Sequence, residues 1–294
     1  MNGFLNVLKP PGMSSAAVVG FVKRMAGEKH VGHAGTLDPE AAGVLPVMLG
    51  RATRLFDYLV DKEKSYVAEC AFGASTDTQD AQGTVLETGN RIPDLAQVRA
   101  ACLQLTGDIV QRPSVYSAIK VGGKPLYARA RKGEDVEAPE RVVHIQRMET
   151  VRAMPENGVL LAIDCGRGTY VRTLCDDLGR LTGCPAHMRF LLRTRSGAFT
   201  IEQTLTLEEI EGYAKTGCLS EHLIPMDAPL QHLPAVRLPE QMRRSVLNGA
   251  KFTAPPDIPS GVPVRAYLED LFLGIVCRER DTMIWKVLIL PEAS

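Results

Sequence analysis

One carboxylate in this 294-residue chain stands out for its setting. Asp38 lies within 32–46, GHAGTLDPEAAGVLP, a loop of Gly, Thr and Pro that runs straight into the apolar stretch 43–49. Gly32 and Gly35 allow backbone angles and close approaches that a Cβ would forbid, and Pro39 biases the dipeptide before it toward extended geometry. A stiff loop that presents Asp38 is a suitable mount for a nucleophilic carboxylate. Such a group is already anionic at neutral pH and needs no separate base. The same residues would equally make an Asp-Pro turn closed by the Asp38 side chain. Composition alone leaves both readings open.

Three further segments concentrate residues able to bind or react. The first is Lys64-Ser65-Tyr66, followed by 73–80, GASTDTQD. The second is 112–120, RPSVYSAIK, leading to 123–127, GKPLY. The third is 166–174, GRGTYVRTL, with 187–193, HMRFLLR, downstream. Each alone could be structural: Tyr66 as a half-buried strand aromatic, Leu191 as a core leucine, Arg172 as a phosphate contact or a charge on a helix surface.

The elements that must carry these residues follow from pattern. A strand over 5–8 breaks at Pro10-Pro11-Gly12, and Ser14 or Ser15 caps a helix over 16–25 with Val18, Val19 and Val22 on one side. A helix is expected over 52–60, a strand over 65–72, a long polar loop over 73–83 and a strand over 84–86. After Pro93 a helix covers 94–105. Strands are expected at 115–121, 142–151 and 159–165, a helix at 170–182 after Gly166-Arg167-Gly168, and an extended run at 187–195. Strands and helices that interleave without a strict βαβ rhythm predict an α+β domain with a mixed sheet. Proline then becomes frequent over 225–239. Beyond it come a short helix at 240–247 and β-like runs at 262–267, 271–276 and 283–290, so the expected division is 1–232 and a small, mainly-β module at 233–294.

Bulk properties exclude several classes. No apolar stretch approaches the roughly 18 residues of a membrane span, and Lys9 is followed at once by Pro10-Pro11-Gly12 rather than by a signal-like apolar run. A cytoplasmic protein is expected. Seven scattered cysteines without C-x-x-C and six histidines without ligand spacing argue against a disulfide framework or a bound metal. The formal charge is zero but unevenly distributed: six arginines lie between Arg167 and Arg195, and eight Lys or Arg against five acids lie between Lys120 and Arg152. Phosphate affinity depends on such local clusters, although a mixed solvated surface has the same composition.

In their combination and order the four motif segments resemble the TruB family, bacterial tRNA pseudouridine-55 synthases, and the likeness begins at 7–15, VLKPPGMSS. The resemblance implies a pseudouridine synthase catalytic domain followed by a PUA-like RNA-binding domain. It implies that uridine 55 in the T arm of tRNA is isomerised by base flipping, by a monomer without cofactor or metal. Asp38 matches the family's essential aspartate, Arg172 the arginine that pairs with it, and Tyr66 the aromatic that stacks on the target base. Tyr170 and Leu191 match pocket walls, and His33 a residue that contacts the rearranged T loop. Lys9, Lys64 and Arg193 are expected to support or contact the substrate. Where the family has Leu-Arg-Arg, this chain has Leu191-Leu192-Arg193, so one basic contact is lost or relocated.

Attack of Asp38 at C6 of uracil, attack at C1′ of ribose, and a role along an eliminated-base route all remain open at this stage. Two other readings compete: an RNA-folding protein with a vestigial site, and a carboxylate hydrolase. The first needs none of the constellation, and the second wants a second acid as proton donor, a role that no motif residue matches.

Overall fold

The computed structural model describes residues 1–59, 63–117, 119–126, 129, 132, 134 and 136–290. Tyr127 of the 123–127 motif and Arg131 of the basic segment lie outside the described residues.

The N-terminal part is built on a nine-stranded mixed sheet. Its strands are β1 (Gly3–Lys9), β2 (Val31–His33), β3 (Ala42–Leu49), β4 (Lys64–Phe72), β7 (Gly107–Gln111), β10 (Arg141–Met154), β11 (Gly158–Cys165), β12 (Ala186–Ser196) and β13 (Phe199–Thr200). Two small hairpins stand apart: β5 (Ala74–Thr76) with β6 (Val85–Thr88), and β8 (Lys120–Val121) with β9 (Lys124–Pro125). The main path runs β1-β3-β12-β4-β11-β10-β7. Among the described pairs of this sheet only β3–β12 is parallel, with Arg193 opposite Gly43. This seam matters most for the site. It sets the end of the Asp38 loop beside β12 and, one strand further, beside Tyr66 of β4, which faces Arg193 across the β4–β12 pair.

All eight residues of β3 are buried. A strand covered on both faces needs a continuous apolar run rather than alternation, which is what 42–49 supplies. On one face Leu45, Val47 and Leu49 pack with Val18 and Val22 of α1 (Ser15–Ala26), and on the other Val44 and Met48 pack with Phe4, Leu55 and Ile275. The rest of the sheet is covered by α2 (Leu95–Gln104) and α3 (Val171–Thr182) through Val98, Ala101, Leu174 and Leu178. Ile275 and Val287 belong to a second, five-stranded sheet that begins at Ala235 and has its own core around Val264, Leu273 and Met283. The α+β expectation with a β-rich C-terminal part is met.

Several elements differ from expectation. The strand expected at 115–121 is reduced to the hairpin residues Lys120 and Val121, and the chain pairs instead over Gly107–Gln111, where Pro113 soon ends the ladder by lacking an N–H. The helix expected over 52–60 is a 3₁₀ helix, Gly50–Tyr58, in which the Thr53 hydroxyl takes the Gly50 carbonyl. Residues expected as loop form β5. The helix Leu207–Thr216 was not anticipated, although its capping box, Thr206 with Glu209, is legible in sequence.

Gly43 has φ +109°, and a Cβ there would meet the Arg193 carbonyl oxygen and nitrogen with no room to shift. Gly43→Ala is therefore expected to lower unfolding free energy by more than about 2 kcal/mol, while Gly212→Ala, in open space, stays within about 0.5 kcal/mol or gains. Urea unfolding of both variants checks this.

Candidate active site

The Asp38 loop is shaped by buried cations. Lys9, wholly buried at the end of β1, donates from Nζ to the carbonyls of Pro10, Pro39 and Ala41 at 2.8, 2.8 and 2.6 Å. Arg193, 1% exposed, donates from Nε to the Val44 carbonyl at 2.7 Å, from Nη1 to Thr36 at 3.3 Å and from Nη2 to Gly35 at 3.1 Å. The Ser15 hydroxyl both accepts from the Leu37 N–H and donates to its carbonyl. A loop with this little regular structure would otherwise leave its carbonyls buried and unpaired, at about 1–3 kcal/mol each. Burial pulls the Lys9 ammonium down to about 8 and also lowers the Arg193 guanidinium.

Asp38 emerges from this frame with its side chain 41% exposed. Its Oδ2 lies 3.0 Å from Nε of Arg172, whose side chain is 6% exposed on the first turn of α3. The rest of that guanidinium is also taken. Nη1 reaches the Thr78 carbonyl at 3.1 Å and Asp80 Oδ2 at 3.3 Å, and Nη2 reaches the Tyr116 carbonyl at 3.3 Å. The 76–80 turn is itself locked onto α3: Thr173 donates to Gln79 Oε1 at 2.9 Å, and Gln79 Nε2 donates to Asp176 at 3.2 Å. Three segments distant in sequence thus meet on one cation.

Tyr66, Tyr170, Leu191, Lys64, Arg172 and Arg193 join Asp38 around a cavity of about 340 Å³. This falls at the small end of the usual range for small-molecule sites. Tyr66 is 8% exposed, and burial raises its phenol above the ordinary value, as it does for Tyr170. At neutral pH both are uncharged donors with apolar faces rather than bases. Tyr170 is held at its backbone, where Gln111 accepts from its N–H at 3.0 Å and donates to its carbonyl at 3.2 Å, and Arg141 stacks over its ring at 5.6 Å. His33 does not line the cavity. It sits on β2, half-buried, with Nδ1 unpartnered and an imidazole whose protonation burial disfavours. Lys9 lies beneath the loop, outside the cavity lining.

Sequence reasoning did not single out Asp80, Gln111, Phe56 or Arg167, the last two being further lining residues. Asp80 lies inside a quoted motif, and its acidity beside Thr78 and Gln79 was the available signal. Gln111 carries no signal beyond adjacency to Arg112. A larger cavity of about 760 Å³ borders the C-terminal half of α3 at Asp176, Gly179 and Arg180, and none of the nine residues selected from sequence lines it. Among the described residues no three His, Cys, Asp or Glu side chains are arranged to hold a metal. Among them, too, no helix is long and apolar enough to cross a membrane.

A loop carboxylate gripped by a buried guanidinium, facing a cavity walled by two tyrosines on a mixed sheet, suits a site that works on a flat, polar ring. Comparison with known proteins narrows this. The model of the TruB family pseudouridylate synthase N-terminal domain matches residues 23–171, and that of the tRNA pseudouridylate synthase B C-terminal domain matches 172–231. The tRNA pseudouridine synthase B of Alkaliphilus oremlandii is 41% identical over 287 residues, covering 96% of this chain and 95% of the relative. That of Bacillus subtilis is 40% identical over 261 residues, covering 87% and 84%. Among solved structures, a chain of a Cbf5-Nop10-Gar1 complex superposes with a TM-score of 0.75 at 26% identity, covering 98% of this chain and 85% of that one. The chain belongs to the TruB family of pseudouridylate synthases.

The lowered Lys9 value makes a prediction with a definite sign. Between about pH 8 and the unfolded value of 10.5, the folded protein holds fewer protons than the unfolded chain, so this group's contribution to stability rises with pH across that window. Below pH 8 the full cost of burying the ammonium is present. In urea titrations at pH 8 to 10.5, wild type should therefore gain stability relative to Lys9→Met. Parallel curves would show that Lys9 does not titrate in this range.

Proposed function

We propose that this enzyme converts uridine to pseudouridine in tRNA, at position 55 of the T arm. The relatives' names support the tRNA substrate and the family resemblance supports the position. The Asp38–Arg172 pair at 3.0 Å, open to a cavity walled by Tyr66, Tyr170 and Leu191, is the observation that carries the reading.

The reaction breaks the N1–C1′ bond, joins C1′ to C5, and moves the C5 proton away as N1 regains one. Substrate and product have the same atoms, so nothing need enter or leave. A stacked uridine is out of reach, and extruding it costs a few kcal/mol. Tyr66 offers the flipped uracil a flat partner and keeps the detached ring in place while it turns. Tyr170 and Leu191 exclude water. The Asp38 carboxylate, aimed by Arg172, acts on the ring or sugar. Lys9 and Arg193, being buried, act by positioning the loop, whereas Lys64 and His33 serve the RNA itself. Residues 1–232 form the catalytic unit and 233–294 the module that grips RNA backbone. The enzyme works as a cytoplasmic monomer without metal or cofactor.

Asp38→Asn keeps shape and removes the charge. Chemical mapping of pseudouridine in a tRNA transcript should show a rate loss of at least about 10³-fold, with the Kd for tRNA within a few-fold of wild type. Undiminished product from this variant contradicts the assignment.

A further inference from the structure

Apolar side chains on the surface are ordinary, but exposed phenylalanine rings at one particular place call for a reason. Among the described Phe, Tyr and Trp residues, only Phe56 at 40% and Phe190 at 38% are exposed. Each lines a cavity that contains Asp38. Phe56 stands at the 340 Å³ cavity with Lys64 and Arg167, and Phe190 stands with Arg189 and Gln82 at a small adjoining cleft of about 30 Å³. Asp38 and Leu191 are shared by both. The two rings therefore flank the carboxylate from different sides, one on the 3₁₀ helix Gly50–Tyr58 and one on β12.

Neither ring rides on a mobile segment. The 3₁₀ helix is pinned below by buried Ala52 and Leu55, and Arg54 donates to the Leu288 carbonyl of the second sheet at 2.6 Å. Phe190 is registered opposite Glu69 in the β4–β12 pair, next to the irregularity after Met188. Folding alone gains little from holding a phenyl ring in water. A nucleobase gains much, because unstacked bases bind flat aromatic faces and neighbouring cations meet the phosphates.

We propose that Phe56 and Phe190 are stacking platforms for the two nucleotides that adjoin the flipped uridine, one ring for each neighbour. This rests on the RNA-modifying reading of the site and extends it to the flanking nucleotides. Extruding one base strips its neighbours of a stacking partner, and the platforms replace what is lost. Lys64 and Arg167 beside Phe56 then sit where an adjoining phosphate passes.

The test uses T-arm RNA hairpins with 2-aminopurine placed immediately before or immediately after the target uridine. Bound to wild type, the probe is quenched by stacking at both positions. Phe56→Ala should restore fluorescence at one position and Phe190→Ala at the other. Each should raise KM about tenfold while kcat stays within about twofold. Trp at either site should restore quenching and KM, and Leu should not. Melting temperatures of the variants, set beside Leu86→Ala at an exposed site elsewhere, report any loss of fold. Fluorescence that neither alanine variant alters, or Leu variants with wild-type KM, would overturn the proposal. The fluorescence readout needs no turnover. A wild type that binds and quenches but makes no pseudouridine therefore counts against the proposed function, and unquenched probes count against the platforms.

Discussion

The site depends on one buried guanidinium. Arg172 is nearly sealed from water, and a charge so placed is tolerable only when it is paired and hydrogen-bonded. Its partners are two carboxylates and two carbonyls, drawn from the Asp38 loop, the 78–80 turn and Tyr116. Asp80 completes the pairing from within, so Arg172 is anchored on one side and presents Nε to Asp38 on the other. A planar fork with fixed donor directions can do this where an ammonium could not. The Asp38 carboxylate is thereby held by a group that has no freedom to leave it.

A second layer of cations serves the backbone rather than the carboxylate. Lys9 and Arg193 fill the carbonyls of a loop that has almost no ladder of its own, and both are buried beneath it. Their placement depends on the parallel β3–β12 seam, which is close enough to require glycine at 43. Loop shape, strand order and ion pair are therefore one arrangement: β12 carries Leu191 and Arg193 to the site, β4 carries Tyr66, and α3 carries Arg172 and the backbone of Tyr170.

What sequence reveals here divides along physical lines. Local signals were sound for α1, α2, α3, β3 and β4, whose apolar periodicities and caps are short-range. The cavity residues Asp38, Tyr66, Tyr170, Arg172 and Leu191 were found through motif resemblance, and the structure brings them together. Contacts set by topology were not legible. Asp80 meets Arg172 across 92 positions, and Gln111 caps Tyr170 across 59. Periodicity does not foresee such pairs. Nor could composition tell that Lys9 and Arg193, two ordinary-looking surface cations, would be buried. The strand expected at 115–121 failed for a related reason: the place beside β10 is taken by Gly107–Gln111.

The central claim is that Arg172 holds Asp38 through the geometry of its fork and not through charge alone. Arg172→Lys keeps the charge and discards the fork. Single-turnover pseudouridine formation by this variant, measured at saturating tRNA, should fall by about 100-fold or more while the Kd for tRNA changes only a few-fold. A lysine variant that turns over at the wild-type rate would contradict the account.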